Sequence, residues 1–584
     1  MPDLFPTNPD LSQVDEEQLP VPEHRRYRMG HFFGLYGAEH IAATEFVIGA
    51  TLVTLGASFN DVVFGLLIGN LMAVLSFWLI TARIATDVRL SLYAYLGRIA
   101  GTTTSTLYNG VNVIFFGMIA AAMITVAATG VTLQLDVPAQ TAPYPTSLLF
   151  VAVVAVLSVV VVAVAIFGFE ILSDFASISA PWLATMFICG AAVLIPPLLE
   201  AVNGQTTASI GEFVALAKSD IFTGETPDGS MSIGFWGVAG FAWAANSIAH
   251  FGLIDMALLR YARKSWYGIA SSSGLIVGHY IGWICAGIMG AAVATLTQTP
   301  LTEISPGKMT FEALNWTGLI IVVVAGWTTA NSNLYRAGLA AQSIFPDHSR
   351  AKVTAIVGAG VVCAAVFPFF YRSILPLLTY AGLAVMPIGG IVFAEHVLFR
   401  RFGMTRYWMH LKNLPRNIPA LITWAAGIAF AATLNIFDLV LLYYIFLPTW
   451  AFSVVLYTIL ARAYGAADDF PNAHREQAGF EAQISAFHQE QALTEGPVDS
   501  TPEPAALDHI IRWVWILGGL IAPLVFAAIT LFASPDIGTY DAQVDLFYTV
   551  ALCSTLLYFI TSYWGLRRQK AQREASHRRG SKIE

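Results

Sequence analysis

The residues with the greatest chemical capability in this sequence are polar side chains that interrupt long apolar segments. They fall into four groups, within residues 37–45, 112–117, 243–255 and 328–336. The groups contain Glu39, His40, Ala42 and Glu45; Asn112, Phe115, Phe116 and Gly117; Trp243, Asn246, Ser247, His250 and Asp255; and Thr328, Thr329, Asn331, Ser332, Asn333 and Arg336. Carboxyl, imidazole, amide and hydroxyl groups can hold an ion, a proton or a small polar molecule. The competing interpretation is that they only hydrogen-bond one helix to the next.

The composition places these groups inside a membrane protein. Of 584 residues, 56% are hydrophobic and only 12% are Asp, Glu, Lys or Arg, whereas soluble proteins carry about 25% charged residues. This deficit excludes a soluble globular protein, a disordered chain and a nucleic-acid binder, and the formal charge of −8 is too small to define an acidic partner surface. The four cysteines lie in apolar stretches without a CxxC pair, which argues against disulfides and a zinc site. The polar start of the chain argues against a cleaved signal peptide.

Apolar segments long enough to cross a membrane as helices define the architecture, and the sequence contains about fourteen of them. The predicted spans, numbered one to fourteen in chain order, are residues 31–57, 61–82, 106–132, 147–168, 177–200, 233–259, 268–295, 315–343, 352–371, 374–398, 418–436, 439–463, 510–533 and 541–566. Of the 30 Lys and Arg residues, only Lys218, Lys308 and Arg372 fall on the outward side, and Arg336 lies within span eight. The positive-inside rule then predicts a multi-pass protein of the inner (plasma) membrane with both termini in the cytoplasm.

The polar groups recur at an interval of five spans. Spans one and six both have a polar middle rich in small residues, and so do spans three and eight. Interrupted helices at matching positions of two halves are typical of an inverted-repeat secondary transporter, in which unwound carbonyls bind a cation and a half-helix N-terminus faces the substrate. The pattern therefore predicts that spans one and eight open their backbones toward one pocket halfway through the membrane.

The predicted fold is an all-α polytopic bundle with six regions. They are a cytoplasmic N-terminal tail (1–30), a ten-helix inverted-repeat core (31–398), two further transmembrane helices (418–463), a cytoplasmic linker (464–508), an extra transmembrane pair (509–566) and a basic cytoplasmic tail (567–584). The linker is polar and acidic, with one weakly helical stretch, FEAQISAFHQEQAL; it is interpreted as a flexible connection, with a regulatory segment as the alternative. A short amphipathic helix is predicted over residues 88–99.

Four stretches of the sequence resemble the nucleobase–cation symporters, a family that includes cytosine, purine, allantoin and hydantoin permeases. The stretches are LPVPEHRRY leading to FVIGATLVTLG, GLLIGNLMAVLSFW in span two, WTTANSNLYRAGLAAQSIF in span eight and MPIGGIVFAEHVLFRR in span ten. The likeness covers roughly residues 20–463 and leaves out the C-terminal pair. It implies a fold of the leucine-transporter type, with spans one to five and six to ten as its halves, and uptake driven by a sodium or proton gradient.

The resemblance also implies a position for the coupling ion. In the family, sodium lies between the broken first helix and span eight. Carried over, its ligands would be the carbonyls of Ala38, Ile41 and Ala325 and the hydroxyls of Thr328 and Thr329. Hard oxygen donors of this kind suit sodium, whereas a Thr hydroxyl can alternatively bond back to its own helix. No organic cofactor is expected.

The substrate positions implied by the resemblance match only in part. Family members stack a planar heterocycle on aromatic residues of spans three and six and bind its edge with amides. Phe115 matches the first aromatic position, but the family amide one turn later falls on Ile119. The family's aromatic position in span six falls near Asn246 or Ile248, depending on where the alignment gap is placed, with Trp243 a turn away. The predicted substrate-binding residues are Glu39, Ala42, Glu45, Phe115, Gly117, Trp243, Asn246, His250, Asn331 and Asn333.

Glu39 and Glu45 depart from the family pattern and admit three interpretations. They pair with His40, His250 or Arg336 as structural partners, or carry a coupling proton, or balance the charge of a cationic substrate. The leading functional prediction is a cation-coupled importer of a small nitrogen-containing heterocycle; the alternatives are a proton-coupled carrier of a cationic nitrogen compound and a non-transporting membrane sensor. An enzyme is not expected, because no HExxH, DDxxD or serine–base constellation occurs. The sequence does not predict an oligomeric state.

Overall fold

The computed structural model describes residue 11 and residues 19–167, 169–207, 209–345, 347–495 and 506–580. Parts of the predicted N-terminal tail, linker and basic tail, and the last residue of span four, lie outside this set. The described part consists of helices and connecting loops, with two isolated backbone bridges, Tyr27 to Ala262 and Ser58 to Thr223.

The helices follow the predicted spans closely. Their bounds are Met29–His40 and Thr44–Thr54 (span one), Asp61–Val88 (two), Leu92–Leu133 (three), Leu148–Phe167 (four), Phe169–Asn203 (five), Gly234–Ala244, Ser247–His250 and Met256–Leu259 (six), Ser265–Thr297 (seven), Trp316–Ile344 (eight), Arg350–Ala365 (nine), Ile374–Phe402 (ten), Ile418–Ile436 (eleven), Leu442–Ala466 (twelve), Ala506–Phe532 (thirteen) and Ile537–Gly580 (fourteen). Connecting helices are Ile210–Leu216, Pro306–Leu314 and Ala473–Glu495, and shorter turns are Glu23–Arg25, Ala217–Ile221, Leu301–Glu303, Phe369–Arg372 and Trp408–Leu411.

Ten helices within the described residues are long and apolar enough to cross a membrane, which makes the chain a multi-pass membrane protein. They belong to spans two to five, seven and ten to fourteen. The other four predicted spans do not form a single helix that is long and apolar enough, each for its own reason. Spans one and six are broken, span nine has 16 residues, and span eight carries the polar run 328–336. The count of about fourteen therefore stays a prediction.

Each broken span packs on a helix from the other half of the core. Gly278 of span seven lies so close to the His40 carbonyl of span one that a Cβ there would overlap it, and Gly69 of span two lies equally close to the Ala239 carbonyl of span six. In a repeat of five spans, span one corresponds to span six and span two corresponds to span seven. The contact of span one with seven is therefore equivalent to that of span six with two. The contacts of span three with nine and of span eight with four form a second equivalent pair. The packing is that of a five-plus-five repeat.

The backbone opens in spans one and six, and in span eight it does not. Span one leaves the helical conformation at Ile41 (φ −103°, ψ 78°), and span six does so at Asn246 (φ −107°, ψ 14°) and at Leu253 (φ 66°). The predicted break in span one is confirmed. The predicted opening of span eight is wrong, because Trp316–Ile344 is one helix. Asn331 and Asn333 donate to carbonyls four residues earlier (3.1 and 2.8 Å), so their amide donors are paired within an intact helix.

The C-terminal helix pair packs against span five. The Trp182 indole donates to the Thr555 hydroxyl (2.9 Å). The hydroxyls of Tyr540 and Tyr558 donate to the carbonyls of Val193 (3.0 Å) and Ile178 (2.6 Å). Span fourteen is therefore hydrogen-bonded along span five, and span thirteen packs on the same helix.

The segment that precedes span one is fastened to the loop between spans six and seven. The Arg26 guanidinium donates to the carbonyls of Ala262 (3.0 and 2.7 Å) and Arg263, and the Arg263 guanidinium donates back to the Arg26 carbonyl (3.0 Å). The Tyr27 amide donates to the Tyr261 carbonyl (2.8 Å). We call the end of the bundle that carries this segment the N-terminal face.

The middle of the predicted linker forms the helix Ala473–Glu495, which we call the linker helix. It includes the stretch FEAQISAFHQEQAL. Ile484 on this helix is buried together with Leu11 and Leu19 of the N-terminal segment. The predicted short helix beneath it begins at Leu92 and is set off from span three by Gly101, whose φ of 79° and ψ of 168° interrupt the helix. The linker helix is thus docked on the N-terminal face.

Candidate functional site

Arg336 of span eight lies between two carboxylates from the broken spans. Its guanidinium forms an ion pair with Glu39 of span one and lies 3.4 Å from Asp255 of span six. It also lies over the Phe116 ring of span three, 5.7 Å from the ring centre. We call Glu39, Asp255 and Arg336 the charge cluster. Because two carboxylates share one guanidinium, the cluster carries one excess negative charge when all three groups are ionised.

The charge cluster has unused hydrogen-bonding capacity. Asp255 is only 1% exposed, and the Tyr36 hydroxyl of span one lies beside it. Within the described part of the chain, neither this hydroxyl nor Oδ2 of Asp255 makes a hydrogen bond of normal geometry. Buried polar groups are normally paired, so these two atoms can receive a proton or a further ligand.

A second polar group, which we call the His279 cluster, lies at the break in span one. The Asn246 amide of span six is 2.9 Å from Nδ1 of His279 in span seven, whose ring contacts that of His40 (5.0 Å between centres) and stacks on Trp283 (4.5 Å). Nε2 of His279 lies 3.9 Å from the Glu45 carboxylate. Spans one, six and seven therefore meet around one imidazole.

Glu45 begins the second half-helix of span one and is almost completely buried. Its carboxylate accepts hydrogen bonds from the Trp283 indole, the Ala42 amide (3.3 Å) and the Thr44 hydroxyl (3.3 Å). A carboxylate at a helix N-terminus is favoured by the exposed amides and the helix dipole. Of the predicted pairings, Glu39 with Arg336 is confirmed, whereas Glu45 bonds Trp283 instead of His40, His250 or Arg336.

The predicted sodium ligands come from spans one and eight. The main chain of Ala38 lies in the last turn before the break, where helix carbonyls have no partner within the helix, and Ile41 is the first residue of the break. The Thr328 hydroxyl donates to the carbonyls of Val324 (3.0 Å) and Ala325 (3.2 Å), and the Thr329 hydroxyl donates to that of Ala325 (2.9 Å). Both hydroxyls bond back to their own helix and keep oxygen lone pairs that could face a cation.

The structure separates the predicted substrate residues of span six. Asn246 joins the His279 cluster, but Trp243 and His250 pack toward spans two and twelve. The Trp243 indole donates to the Ser76 hydroxyl (3.0 Å), and Nε2 of His250 lies 3.1 Å from the Trp243 carbonyl. Rings of Phe77 and Phe446 contact the two side chains. Their position fits a role in supporting the break.

The predicted residues of spans three and eight do not all face one another. Phe115 and Gly117 are buried in span three, but a Cβ at Gly117 would meet Val361 of span nine (3.6 Å), and Asn333 bonds back to its own helix. Asn331 is fully buried and its side-chain oxygen has no hydrogen-bond partner among the described residues. This oxygen is an acceptor available to a bound molecule.

His279 and Trp283 were missed by the sequence reasoning. Span seven was interpreted as an ordinary apolar helix, although its run GHYIGW places a His and a Trp four residues apart between glycines. Residues four apart share one face of a helix, and the glycines let that face approach span one. The sequence signal that could have identified this site is the pair of His279 and Trp283 on a helix face that also carries glycines.

Comparison with known proteins agrees with this geometry. The chain is 24% identical over 434 residues to the cytosine permease of Escherichia coli (strain K12), an alignment that covers 70% of this chain and 87% of that protein. No family model matches. The fold is similar to that of Mhp1 in an inward-facing conformation (TM-score 0.59, 15% identity, 80% of this chain and 97% of the other). The sequence similarity to this permease and the similarity of fold agree with the resemblance to the nucleobase–cation symporters.

Two further structures have the same fold. One is Mhp1, described as a nucleobase–cation-symport-1 family transporter, in a closed conformation with bromovinylhydantoin bound (TM-score 0.58, 14% identity, 80% and 99% coverage). The other is a Na⁺-coupled sialic acid symporter in a substrate-bound outward-open state (TM-score 0.50, 15% identity, 76% and 91% coverage). These relatives are permeases and symporters, not enzymes. The resemblance and the leucine-transporter-like fold are confirmed, and the comparisons support a cation-coupled transporter.

Proposed function

We propose that this protein imports a small nitrogen-containing compound, a nucleobase or related heterocycle, together with a cation by alternating access. The similarity to a cytosine permease and the fold shared with a hydantoin-binding symporter support this substrate class. We also propose that the transport core is residues 31–398, that the protein resides in the inner (plasma) membrane and that both termini are cytoplasmic.

The observation that carries the proposal is the meeting of two broken helices around shared polar side chains. Spans one and six lose their helical backbone at Ile41 and Asn246, and His279 contacts residues on both sides of this junction. An unwound pair of helices offers main-chain groups and small residues to a ligand. A bundle that only needed to be stable would gain nothing from breaking two of its crossings.

The proposed substrate site lies between these breaks and spans three and eight. Phe115 would supply an aromatic face, and the Asn331 side-chain oxygen and the Asn246 amide would bind donors and acceptors on the ring edge. Ala42 would leave room for a flat ring, whereas Gly117 faces Val361 of span nine and lies outside the proposed site. In this proposal the region is bordered by Glu39, Glu45 and Asn333. Its span-six wall is supported by Trp243 and His250.

We propose sodium as the coupling ion, bound by the carbonyls of Ala38, Ile41 and Ala325 and the hydroxyls of Thr328 and Thr329. The break after His40 supports this assignment because it frees carbonyls opposite span eight. The excess negative charge of the charge cluster supports the second candidate, a proton-coupled carrier of a cationic nitrogen compound. A carboxylate that shares one guanidinium with a second carboxylate is favoured to take up a proton or to face a positive charge.

Uptake into proteoliposomes tests the proposal. Radiolabelled cytosine, uracil, hydantoin and thiamine would be offered under a sodium gradient, a proton gradient or neither. We expect sodium-driven accumulation of one of the neutral heterocycles, lost in Thr328→Ala. The matched control is Thr433→Ala, because Thr433 also bonds back to its helix (2.9 Å) but is exposed on span eleven.

Other outcomes separate the alternatives. Accumulation driven by a pH gradient alone, abolished by Glu39→Gln and untouched by Thr328→Ala, would replace sodium with a proton. Substrate-dependent thermal stabilisation without flux under either gradient would favour the non-transporting sensor.

A further inference from the structure

An apolar groove lies between spans three, eight and nine. Its volume is about 640 Å³, and its lining is apolar except for His348. Among the described residues that line it, none comes from the broken spans one and six. The lining includes exposed apolar side chains on all three sides, Ile114 (64% exposed), Phe345 (56%) and Ile356 (65%). The groove is therefore separate from the proposed transport site and opens toward the hydrocarbon of the membrane.

Two glycines leave the groove open at its floor. Gly110 of span three and Gly360 of span nine both line it, and among the described residues nothing lies within 4 Å of the position that a Cβ would occupy at either one. Glycine within a helix is less favourable than alanine. Close approach of another helix does not explain these two glycines, because an added methyl group would meet no protein atom. Open space over two neighbouring helices is what a molecule lying along the groove requires.

The groove has the length of one membrane leaflet. It follows span nine from Val353 to Ala364, and a stretch of this length in an α-helix covers about 16 Å. This is close to half of the roughly 30 Å hydrocarbon core of a bilayer. An acyl chain from one leaflet therefore fits the groove lengthwise.

The end of the groove at the start of span nine is polar. His348 lines this end. The exposed Lys352 lies one helical turn before Ile356, so both side chains lie on the same side of span nine. Span nine is a helix of 16 residues that begins here, and its first turn has main-chain amides without a partner inside the helix. These amides and the ammonium group both favour a negatively charged ligand.

The other charged groups in this connection do not reverse its sign. Arg350 lies over the Tyr335 ring of span eight, 5.3 Å from the ring centre. Asp347 is an exposed carboxylate. Arg350, Lys352 and Asp347 together carry one excess positive charge. This charge lies at the end of two spans, where the headgroups of the surrounding lipids are found.

We propose that this groove binds an anionic phospholipid, with one acyl chain along spans three and nine and its headgroup at His348, Lys352 and the first turn of span nine. The apolar lining, the two open glycines and the length fit an acyl chain. The lysine and the helix N-terminus fit an acidic headgroup. The bound lipid packs span nine onto spans three and eight, so the site stabilises the core and does not depend on the transported substrate.

The test uses the full-length protein in nanodiscs of pure phosphatidylcholine and of phosphatidylcholine with phosphatidylglycerol. Native mass spectrometry counts the lipids that each chain retains, and thermal unfolding measures their effect. We expect one retained phosphatidylglycerol per chain and a higher midpoint of unfolding in the mixed nanodiscs. Lys352→Gln should lower the preference for phosphatidylglycerol roughly fivefold, the effect of one lysine near an anionic surface. The matched control is Lys264→Gln, which removes an exposed lysine from the loop between spans six and seven.

A second pair of variants tests the acyl chain. Gly360→Leu fills the groove, because the new side chain enters space next to which no described protein atom lies. It should abolish retention of the lipid and the difference between the two kinds of nanodisc. Ala359→Leu adds the same side chain at the neighbouring exposed position, which does not line the groove, and should change neither quantity.

Two results would overturn the proposal. The first is that phosphatidylglycerol is neither retained nor stabilising, or that the two members of either pair of variants behave alike. The second is a dimer in phosphatidylcholine nanodiscs that Gly360→Leu dissociates and that phosphatidylglycerol does not affect. That result would assign the groove to a second copy of the chain.

Discussion

At the residue scale, the charge cluster joins three spans of the core through Arg336. The guanidinium balances Glu39 and Asp255, which come from two different broken helices. Burying ions removes them from water at a cost of several kcal/mol each, on the order of what good pairing returns. The cluster therefore depends on all three members being present.

Replacing Arg336 should destabilise the protein more than replacing either carboxylate. Arg336→Met leaves two carboxylates facing each other in a buried site, and breaking a buried pair in this way costs about 3–5 kcal/mol. Glu39→Gln leaves a balanced pair of Asp255 and Arg336, so its effect should be smaller. Thermal unfolding of the purified variants measures the difference.

A double variant provides the control for this prediction. Adding Glu39→Gln to Arg336→Met removes one of the two unpaired charges and should recover part of the lost stability. Additive losses in the double variant would show that the three groups do not act as a unit.

Sequence reasoning reached some of these residues and missed others for a physical reason. Glu39 and Arg336 stand out because charges inside apolar spans are rare, and their pairing was among the interpretations considered. His279 and Trp283 were missed because span seven contains no Asp, Glu, Lys or Arg and was interpreted as an ordinary apolar helix. Their partners, Glu45 and Asn246, lie far away in the sequence, and only folding brings them together.

At the element scale, polar composition alone did not distinguish a broken helix from an intact one. Spans one and eight both carry a run of polar residues, yet only span one opens. In span eight the side-chain amides of Asn331 and Asn333 donate to carbonyls of their own helix, which pairs these donors without opening the backbone. In span one, close packing on the glycines of span seven and the capping carboxylate of Glu45 support two half-helices. These contacts are tertiary and have no local sequence signature.

The glycine that faces the break should not tolerate even a methyl group. In Gly278→Ala, the new Cβ would overlap the His40 carbonyl, so the broken span would have to shift or the helix would pack poorly. Overpacking of this kind costs about 1–3 kcal/mol or more. We expect lower thermal stability and loss of substrate-dependent uptake.

Gly360→Ala in span nine is the matched control. It is also a helix glycine, but nothing lies within 4 Å of the position that a Cβ would occupy. Alanine there should be neutral or stabilising by up to about 1 kcal/mol. Equal behaviour of the two variants would contradict the close approach of spans one and seven.

At the scale of the whole molecule, the C-terminal helix pair should contribute to the stability of the core. Tyr558 is almost fully buried and its hydroxyl bonds the Ile178 carbonyl of span five. Tyr558→Phe should lower the free energy of unfolding by about 1 kcal/mol, the usual net value of such a bond. Thermal unfolding in detergent checks this, with Tyr380→Phe as a control because Tyr380 is 53% exposed. No difference between the variants would mean that the pair is only loosely attached.

The global arrangement was the most predictable level. Apolar length and composition located the crossings, and the interval of five spans indicated the inverted repeat. The docking of the C-terminal pair on span five and of the linker helix on the N-terminal face could not be predicted in this way. Both depend on single side chains, such as Trp182 and Ile484, that find partners hundreds of residues away.

Hydrogen bonds join the segment before span one to the loop before span seven, and they affect which substitutions the protein tolerates there. The Arg26 and Arg263 guanidinium groups each donate to main-chain carbonyls of the other's segment, and the Tyr27 amide donates to the Tyr261 carbonyl. The acceptors of these hydrogen bonds are peptide oxygens, which any amino acid supplies. A substitution at Ala262 therefore keeps its acceptor, whereas loss of the Arg26 or Arg263 guanidinium removes donors that tie the entrance of span one to the start of span seven.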